Sequence, residues 1–148
     1  MLRLNRTTEY ALIALRHIRQ KQLTSPVEPT SAREIADTYG LPFEITAKTL
    51  QRLKEIGMIQ STQGARGGYT LSQTLATVNL AQFIESLEGS TAIVTCAEDK
   101  KDGCEYQPRC DIQHLMNGLN ARVYHFLAQI HLGDFLEKPS GGSHVAQP

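Results

Sequence analysis

The sequence predicts a mainly α-helical fold: a winged helix-turn-helix domain with a small β-hairpin wing, followed by a long C-terminal helix. Three observations predict it. A capped helix, a glycine turn and a proline-initiated helix succeed one another between Ser31 and Ile56. A glycine-rich hairpin around one arginine, Gln63-Gly64-Ala65-Arg66-Gly67-Gly68, comes directly after them. An apolar seam then recurs at intervals of three or four residues from Ile112 to Ile130. Helix, turn, helix and hairpin in that order are far more specific together than any one of them alone.

Arg3 to Lys21 reads as the first helix. Ala11, Leu12, Leu15 and Ile18 have the spacing of a buried stripe, and Arg6, Arg16, Arg19 and Lys21 take the other face. Glu9 lies early in this helix, where a carboxylate favours the helix dipole. Thr24 to Thr30 contains Pro26 and Pro29 and reads as a loop. Ser31 to Tyr39 is a short second helix. Ser31 and Glu34 have the spacing of a capping box, in which each side chain satisfies a backbone N–H of the first turn. Ala32, Ile35 and Ala36 give it a small apolar face. Gly40 ends this helix, and Pro42 opens the next, where its missing N–H costs nothing.

Pro42 to Ile56 is the third helix. Ile45, Leu50, Leu53 and Ile56 are expected to face inward, with Glu44, Thr46, Lys48, Gln51, Arg52 and Lys54 outward. Outward side chains of this kind read base edges and clamp phosphates, although a solvated helix face has a similar composition. Gly57 closes the helix. Met58 to Thr62 and Tyr69 to Leu71 can pair as two strands, because the glycines between them permit positive backbone torsions. Arg66 at the tip is placed for a minor groove or a phosphate; the bland alternative is a solvated hairpin. Val78 to Leu87 is a fourth helix, with Leu80, Phe83, Ile84 and Leu87 spaced to pack, Asn79 as a cap and Gly89 as terminator.

Asp111 to His131 reads as the longest helix. Ile112, Leu115, Leu119, Val123, Phe126 and Ile130 form a seam for another helix, from a second copy or from the chain's own first domain. The length of the seam, beside a domain that already has a core, favours a dimer. The expected division is a winged domain at 1–90, a cysteine-rich loop at 91–110, a dimerisation helix at 111–136 and a disordered tail at 137–148.

The 148 residues suffice for one domain with an appendage. No apolar run is long enough to span a membrane, and MLRLNRTTEY lacks a signal-peptide core, so a cytoplasmic setting is expected. The formal net charge of zero is unevenly spread: up to Leu75 there are ten basic against six acidic side chains. That asymmetry is a modest pointer to an anionic partner, and chance gives the same.

All three cysteines, Cys96, Cys104 and Cys110, fall in one polar stretch that ends at His114. Three thiols in a chain without export features suggest a metal or a redox switch rather than a disulfide framework. The spacing Cys96-x7-Cys104-x5-Cys110-x3-His114 is also that of a three-cysteine, one-histidine zinc finger that binds RNA. Tyr106 alone would be available there for base stacking. A metal-free thiol switch, with Cys96 and Cys104 oxidising to a disulfide, is a third reading. An enzyme is not expected: no cysteine has a recognisable histidine and acid partner, and no phosphate-binding glycine loop is present.

Several of these stretches together resemble the iron–sulfur regulators related to IscR and NsrR, bacterial dimeric winged-helix transcription factors. The similarity lies in Thr8-Glu9-Tyr10-Ala11-Leu12, Arg52-Leu53 followed by Gly57, the wing Gly64-Ala65-Arg66-Gly67-Gly68-Tyr69-Thr70-Leu71, Glu88-Gly89 and the cysteine triplet. It runs from Leu4 to about Leu136. The resemblance implies an iron–sulfur cluster, 2Fe–2S or 4Fe–4S, on Cys96, Cys104 and Cys110, and thiolates are soft ligands suited to it. It implies a fourth ligand at His114, one place beyond the position where some relatives carry a histidine (here Gln113), or at Glu9, where other relatives supply an acid across the dimer, with a water or small thiol in the open position as a further alternative. The interval from Cys104 to Cys110 matches the family's; that from Cys96 to Cys104 is longer. The third helix would enter the major groove of operator DNA and the wing would meet the minor groove. Thr46, Lys48, Gln51, Arg52, Arg66, Gly67, Gly68 and Tyr69 are the contact positions implied. Ala47 stands where some relatives carry an acid that discriminates between operators. The implied activity is transcriptional regulation, as a repressor, in response to iron–sulfur status, redox state or nitric oxide.

Overall fold

The computed structural model describes residues 3–97 and 104–137. Within them the chain runs α1 (Arg6–Thr24), α2 (Ala32–Tyr39), α3 (Phe43–Glu55), β1 (Ile59–Thr62), β2 (Gly68–Leu71), α4 (Leu80–Glu88), α5 (Gln113–Ala128) and α6 (Leu132–Glu137). Short 3-10 turns at Leu75–Thr77, Thr95–Ala97 and Gln107–Arg109 lie in the connections. This is the mainly helical winged architecture the sequence predicts.

α1 forms because Asn5 caps it, its side chain accepting from the Thr8 N–H at 3.0 Å. The helix then buries Ala11, Ala14, Leu15 and Ile18 on one stripe. Ile35 of α2, Leu50 and Leu53 of α3, and Phe83 and Ile84 of α4 join them in the core. α2 is capped by Ser31, whose hydroxyl accepts from the Glu34 N–H at 3.1 Å. The reciprocal half of the capping box is not used. The Glu34 carboxylate turns to α1 instead, taking His17 Nε2 at 2.8 Å and Lys21 Nζ at 2.7 Å. Two partners on another helix outbid one N–H of its own. Burial raises the Glu34 pKa, but the hydrogen bonds and charges of His17 and Lys21 outweigh it and hold the carboxyl below its usual range.

α3 is rotated from the expected setting. Thr46, Thr49, Leu50 and Leu53 are buried, whereas Ile45 is 44% exposed. The threonines tolerate burial because their hydroxyls donate to the carbonyls one turn back, Thr46 to Pro42 at 2.9 Å and Thr49 to Ile45 at 2.8 Å. Gly40, at φ 63°, makes the tight turn between α2 and α3, as expected.

The hairpin pairs Ile59 with Leu71 through to Thr62 with Gly68, antiparallel. A third piece of extended chain, not foreseen, lies beside it: Thr30 and Tyr69 exchange both backbone hydrogen bonds, at 3.0 and 2.8 Å. Gly68 makes this approach possible, since a Cβ there would lie 2.7 Å from the Thr30 carbonyl oxygen. The wing is therefore fixed to the loop that precedes α2.

The C-terminal region differs most from expectation. The longest helix is α1, with 19 residues against 16 for α5. α5 ends at Ala128 and the chain turns back to the domain. The Leu80 N–H donates to Ile130 O at 2.7 Å and the Leu132 N–H to Val78 O at 2.8 Å, so Ile130 leaves the seam. Leu132 and Leu136 of α6 enter the core. Gly133 packs so closely on Ala76 that a Cβ would lie 3.0 Å from the Ala76 Cα. Glu137, expected in the tail, ends α6 and pairs with Arg19, which also donates to Gly133 O at 2.8 Å. The remainder of the expected tail, 138–148, lies outside the described residues.

Two measurements check these contacts. Gly68→Ala is expected to destabilise the protein by about 1–3 kcal/mol in urea unfolding, because backbone rather than a side chain must yield. Glu34→Gln is expected to cost about 0.5–1 kcal/mol at neutral pH. A lowered folded-state pKa gives stabilisation that is full above the usual carboxylate range and lost as pH falls through the lowered value. The gap between wild type and variant therefore closes in acid.

Candidate nucleic-acid interface and cysteine segment

α3 presents its outer face through Glu44, Lys48, Gln51 and Arg52, all exposed. Lys48 and Gln51 are left open to solvent on it. Thr46 does not: it is 1% exposed and its hydroxyl is committed to Pro42, so the sequence expectation that it faces a partner is corrected. Arg52 is exposed but already engaged, with Glu55 at 3.1 Å and the Ser86 carbonyl at 3.3 Å. It ties the end of α3 to α4.

The sequence reading missed a cation at the corner of α2 and α3. The Arg33 guanidinium lies 4.1 Å from the centroid of the Phe43 ring. The aromatic face holds the cation in place beside the first turn of α3. Helical periodicity carried no signal of this pair, because the contact spans the Gly40 turn.

In the wing, Arg66 is exposed between the strands. The Gly67 N–H donates to Gly64 O at 3.0 Å and closes the turn beneath it. Gly68 and Tyr69 are half-buried and serve the bridge to Thr30; the Tyr69 ring packs against the core. Arg33, Lys48, Arg52 and Arg66 thus supply cations along α2, α3 and the wing, with Glu44 and Glu55 the acids on α3.

The three cysteines lie between α4 and α5. Cys96 sits in the Thr95–Ala97 turn, with its Sγ 4.0 Å from Asn117 Oδ1 of α5. Cys110 ends the Gln107–Arg109 turn, three residues before α5 begins. All three are half-buried and free of disulfides. His114 is exposed in the first turn of α5, and Glu9 is exposed in the first turn of α1. Among the described residues, no three or more Cys, His, Asp or Glu side chains converge as metal ligands. The expected gathering of Cys96, Cys104 and Cys110 with His114 or Glu9 is therefore not brought together here; 98–103, between the first two cysteines, lie outside the described residues. The donor set itself fits an iron–sulfur cluster: three unpaired, partly accessible thiols on irregular backbone, with an oxygen and a nitrogen donor also exposed.

A cleft of about 750 Å³ opens beside this segment. Leu4, Ile93, Val94, Met116, Val123 and Phe126 line its apolar part, and Arg3, Arg122 and Glu88 lie at it too. Glu88 is held there by the Asn5 N–H at 3.1 Å and by the Thr8 hydroxyl.

A family model described as Rrf2, iron-dependent transcriptional regulator, matches residues 4–138. The chain belongs to the Rrf2 family. Among its Rrf2 relatives, the transcriptional repressor NsrR of Streptomyces coelicolor is 27% identical over 140 residues, spanning 95% of this chain and 92% of that protein. The transcriptional regulator IscR of Xenorhabdus nematophila is 26% identical, spanning 92% of this chain and 80% of that one. CymR, the global cysteine regulator of B. subtilis, superposes with a TM-score of 0.68 at 26% identity, over 92% of this chain and 97% of that one. The T. potens IscR structure, at 20% identity and a TM-score of 0.65, shares the fold. This Rrf2 protein is accordingly a transcriptional regulator of the NsrR, IscR and CymR kind, and not an enzyme. The roles of its relatives as transcriptional regulators support DNA binding. No helix among the described residues is long and apolar enough to cross a membrane.

Proposed function

We propose that this chain is a cytoplasmic, homodimeric repressor that binds operator DNA through α3 and the wing and senses iron–sulfur status, redox state or nitric oxide through a cluster on Cys96, Cys104 and Cys110. The observation that carries the reading is the placement of every cysteine in the one segment that joins the winged domain to α5. The family's description as iron-dependent supports a metal there.

Lys48 and Gln51 on α3 reach base edges and phosphate, Arg33 on its Phe43 platform meets the backbone, and Arg66 enters the minor groove or touches phosphate. Thr46 is left out, and Arg52 joins only by surrendering its bond to Ser86. Cys96, Cys104 and Cys110 would hold the cluster, with His114 of the same chain or Glu9 across the dimer as fourth ligand. A bound cluster supplies a redox-active, chemically labile centre whose state differs between conditions. The residues around it do the mechanical part. Asn117 faces Cys96, and Asn120 Oδ1 accepts from the Ile93 N–H at 2.8 Å, so the segment is sewn to α5 at its first end. A change in the segment's conformation alters how α5 sits against α4. Regulation follows only if the two conformations differ in affinity for DNA.

α5 supports the dimer. None of its residues is fully buried, and Leu115, Leu119 and Phe126 are 59%, 45% and 64% exposed. A second copy is the partner that a two-fold operator calls for.

A second reading, regulation by the thiols without a cluster, is favoured by one observation: Cys96, Cys104 and Cys110 are all free and half-buried on one connecting segment. Protein purified without oxygen separates them. Iron and sulfide in equal amounts, lost on replacing any one cysteine by serine, are expected. Metal-free protein that also fails reconstitution would sink the cluster and leave the thiols; zinc alone would make the segment structural. For the DNA side, Lys48→Ala and Arg66→Ala are each expected to weaken binding and to reduce the slope of log affinity against log salt by about 0.9. Fluorescence anisotropy on duplexes selected from a random pool checks this, and an unchanged slope removes that residue from the interface.

A further inference from the structure

Ile45 is out of keeping with its surroundings. It sits in the first turn of α3, 44% exposed, because Thr46 and Thr49 take the inward positions beside it. Along the helix it shares a stripe with Lys48 and Arg52, at intervals of three and four, and both are exposed cations. An apolar, branched side chain has been left on the face that carries positive charge. Ile45 belongs neither to the buried core nor to the partly buried residues packed against it.

On a reading helix the N-terminal residues come nearest the base edges. The major groove offers donors, acceptors and one apolar group, the C5-methyl of thymine. An isoleucine side chain has neither donor nor acceptor. Against a guanine, cytosine or adenine edge it would leave polar groups stripped of water and unpaired, which is unfavourable. Against a thymine methyl it removes apolar surface from water on both partners. Phe43, the other exposed apolar residue of this turn, already has its ring under the Arg33 guanidinium. Glu44 beside Ile45 repels phosphate, which is consistent with a turn facing bases rather than backbone.

We propose that Ile45 reads the methyl group of a thymine at one base pair in each operator half-site. The proposal rests on the placement of α3 in the major groove given above. The stripe then divides the work, with Ile45 setting a base and Lys48 contributing charge.

The test uses the full-length protein purified without oxygen, before and after metal removal by chelation. Duplexes are selected from a randomised pool. The selected sites are expected to share a thymine at one position per half-site. Replacing that thymine by uracil removes the methyl alone and is expected to weaken binding about fourfold per half-site. Ile45→Ala protein is expected to bind the thymine and uracil duplexes equally well. Wild-type affinity unchanged by uracil at every thymine of the selected site overturns the proposal and leaves the groove placement of α3 standing. An Ile45→Ala protein that still distinguishes the two bases assigns the methyl to another side chain and overturns it equally. Recovery of no preferred sequence in either metal state overturns this proposal and the DNA-reading role of α3 together. The uracil comparison is made with wild-type protein, so it does not depend on how the variant folds.

Discussion

Ala11 and Ala14 show the core of this protein only a methyl group each, and that lets four other elements close on α1 at once. α3, β2, α4 and α6 all pack against it. Larger side chains at these two positions, which are 0% and 1% exposed, would overpack a site with nowhere to expand. The rim of the same helix then fastens three of these neighbours, and α2 as well, by polar contacts. His17 and Lys21 hold Glu34 of α2, Gln22 Oε1 accepts from the Leu71 N–H of β2 at 2.9 Å, and Arg19 holds α6. Thr8 donates to Glu88 at the end of α4. α3 and the wing keep a fixed relation because both are set against one post.

Much of this was legible in the sequence, where local chemistry and tertiary packing agree. Ser31, Gly40, Asn79 and Gly89 cap or end helices where their residue types say they should. The wing follows from its glycines. The misreadings share a physical cause: a tertiary partner outweighed a local rule. Hydrophobicity alone puts Ile45 inside and Thr46 outside, and the threonine hydroxyls reverse this by bonding their own backbone. Glu34 abandons its capping role for two cations on another helix. α5 stops at Ala128 without proline or glycine, because the backbone at Ile130 and Leu132 pairs with that at Leu80 and Val78. In the candidate site, cysteine count and spacing gave a donor set. Its assembly was not legible, since convergence of ligands on a loop depends on what binds them. The Arg33–Phe43 pair left no trace in any periodicity.

The cysteine segment and α3 share no hydrogen bond among the described residues, yet one short piece of structure touches both. Ser86 O in the last turns of α4 receives Arg52 of α3. Glu85 of the same helix receives the Thr91 hydroxyl at 3.3 Å, and Ile93 just beyond is held by Asn120 of α5. Glu88 in between is bound to the start of α1, the turn that carries Glu9. In the proposed regulator, the end of α4 is thus the place where a change at the thiols meets the position of α3. Arg52 matters here in a way the sequence reading did not anticipate. A residue that must choose between a carbonyl of α4 and a phosphate couples the two by competition.

α5 leaves an apolar face uncovered in one copy of the chain. An isolated helix of this length is marginal in water and depends on burying an apolar face. Met116, Val123 and Leu127 are half-buried on the side of the cleft, which accounts for one face. Ile112, Leu115 and Leu119 recur at three and four residues on another and remain exposed, as does Phe126 at the rim of the cleft. A contiguous apolar stripe of this kind marks an interaction site rather than ordinary surface scatter. Since the seam sits at the far end of a segment whose other end meets α4, a self-complementary contact along it would also set the separation of the two α3 helices. Half-sites on DNA recur at whole helical turns, so that separation is a quantity the operator can read. In the proposed regulator, a thiol segment placed between the seam and the winged domain would need only to change that separation to change affinity.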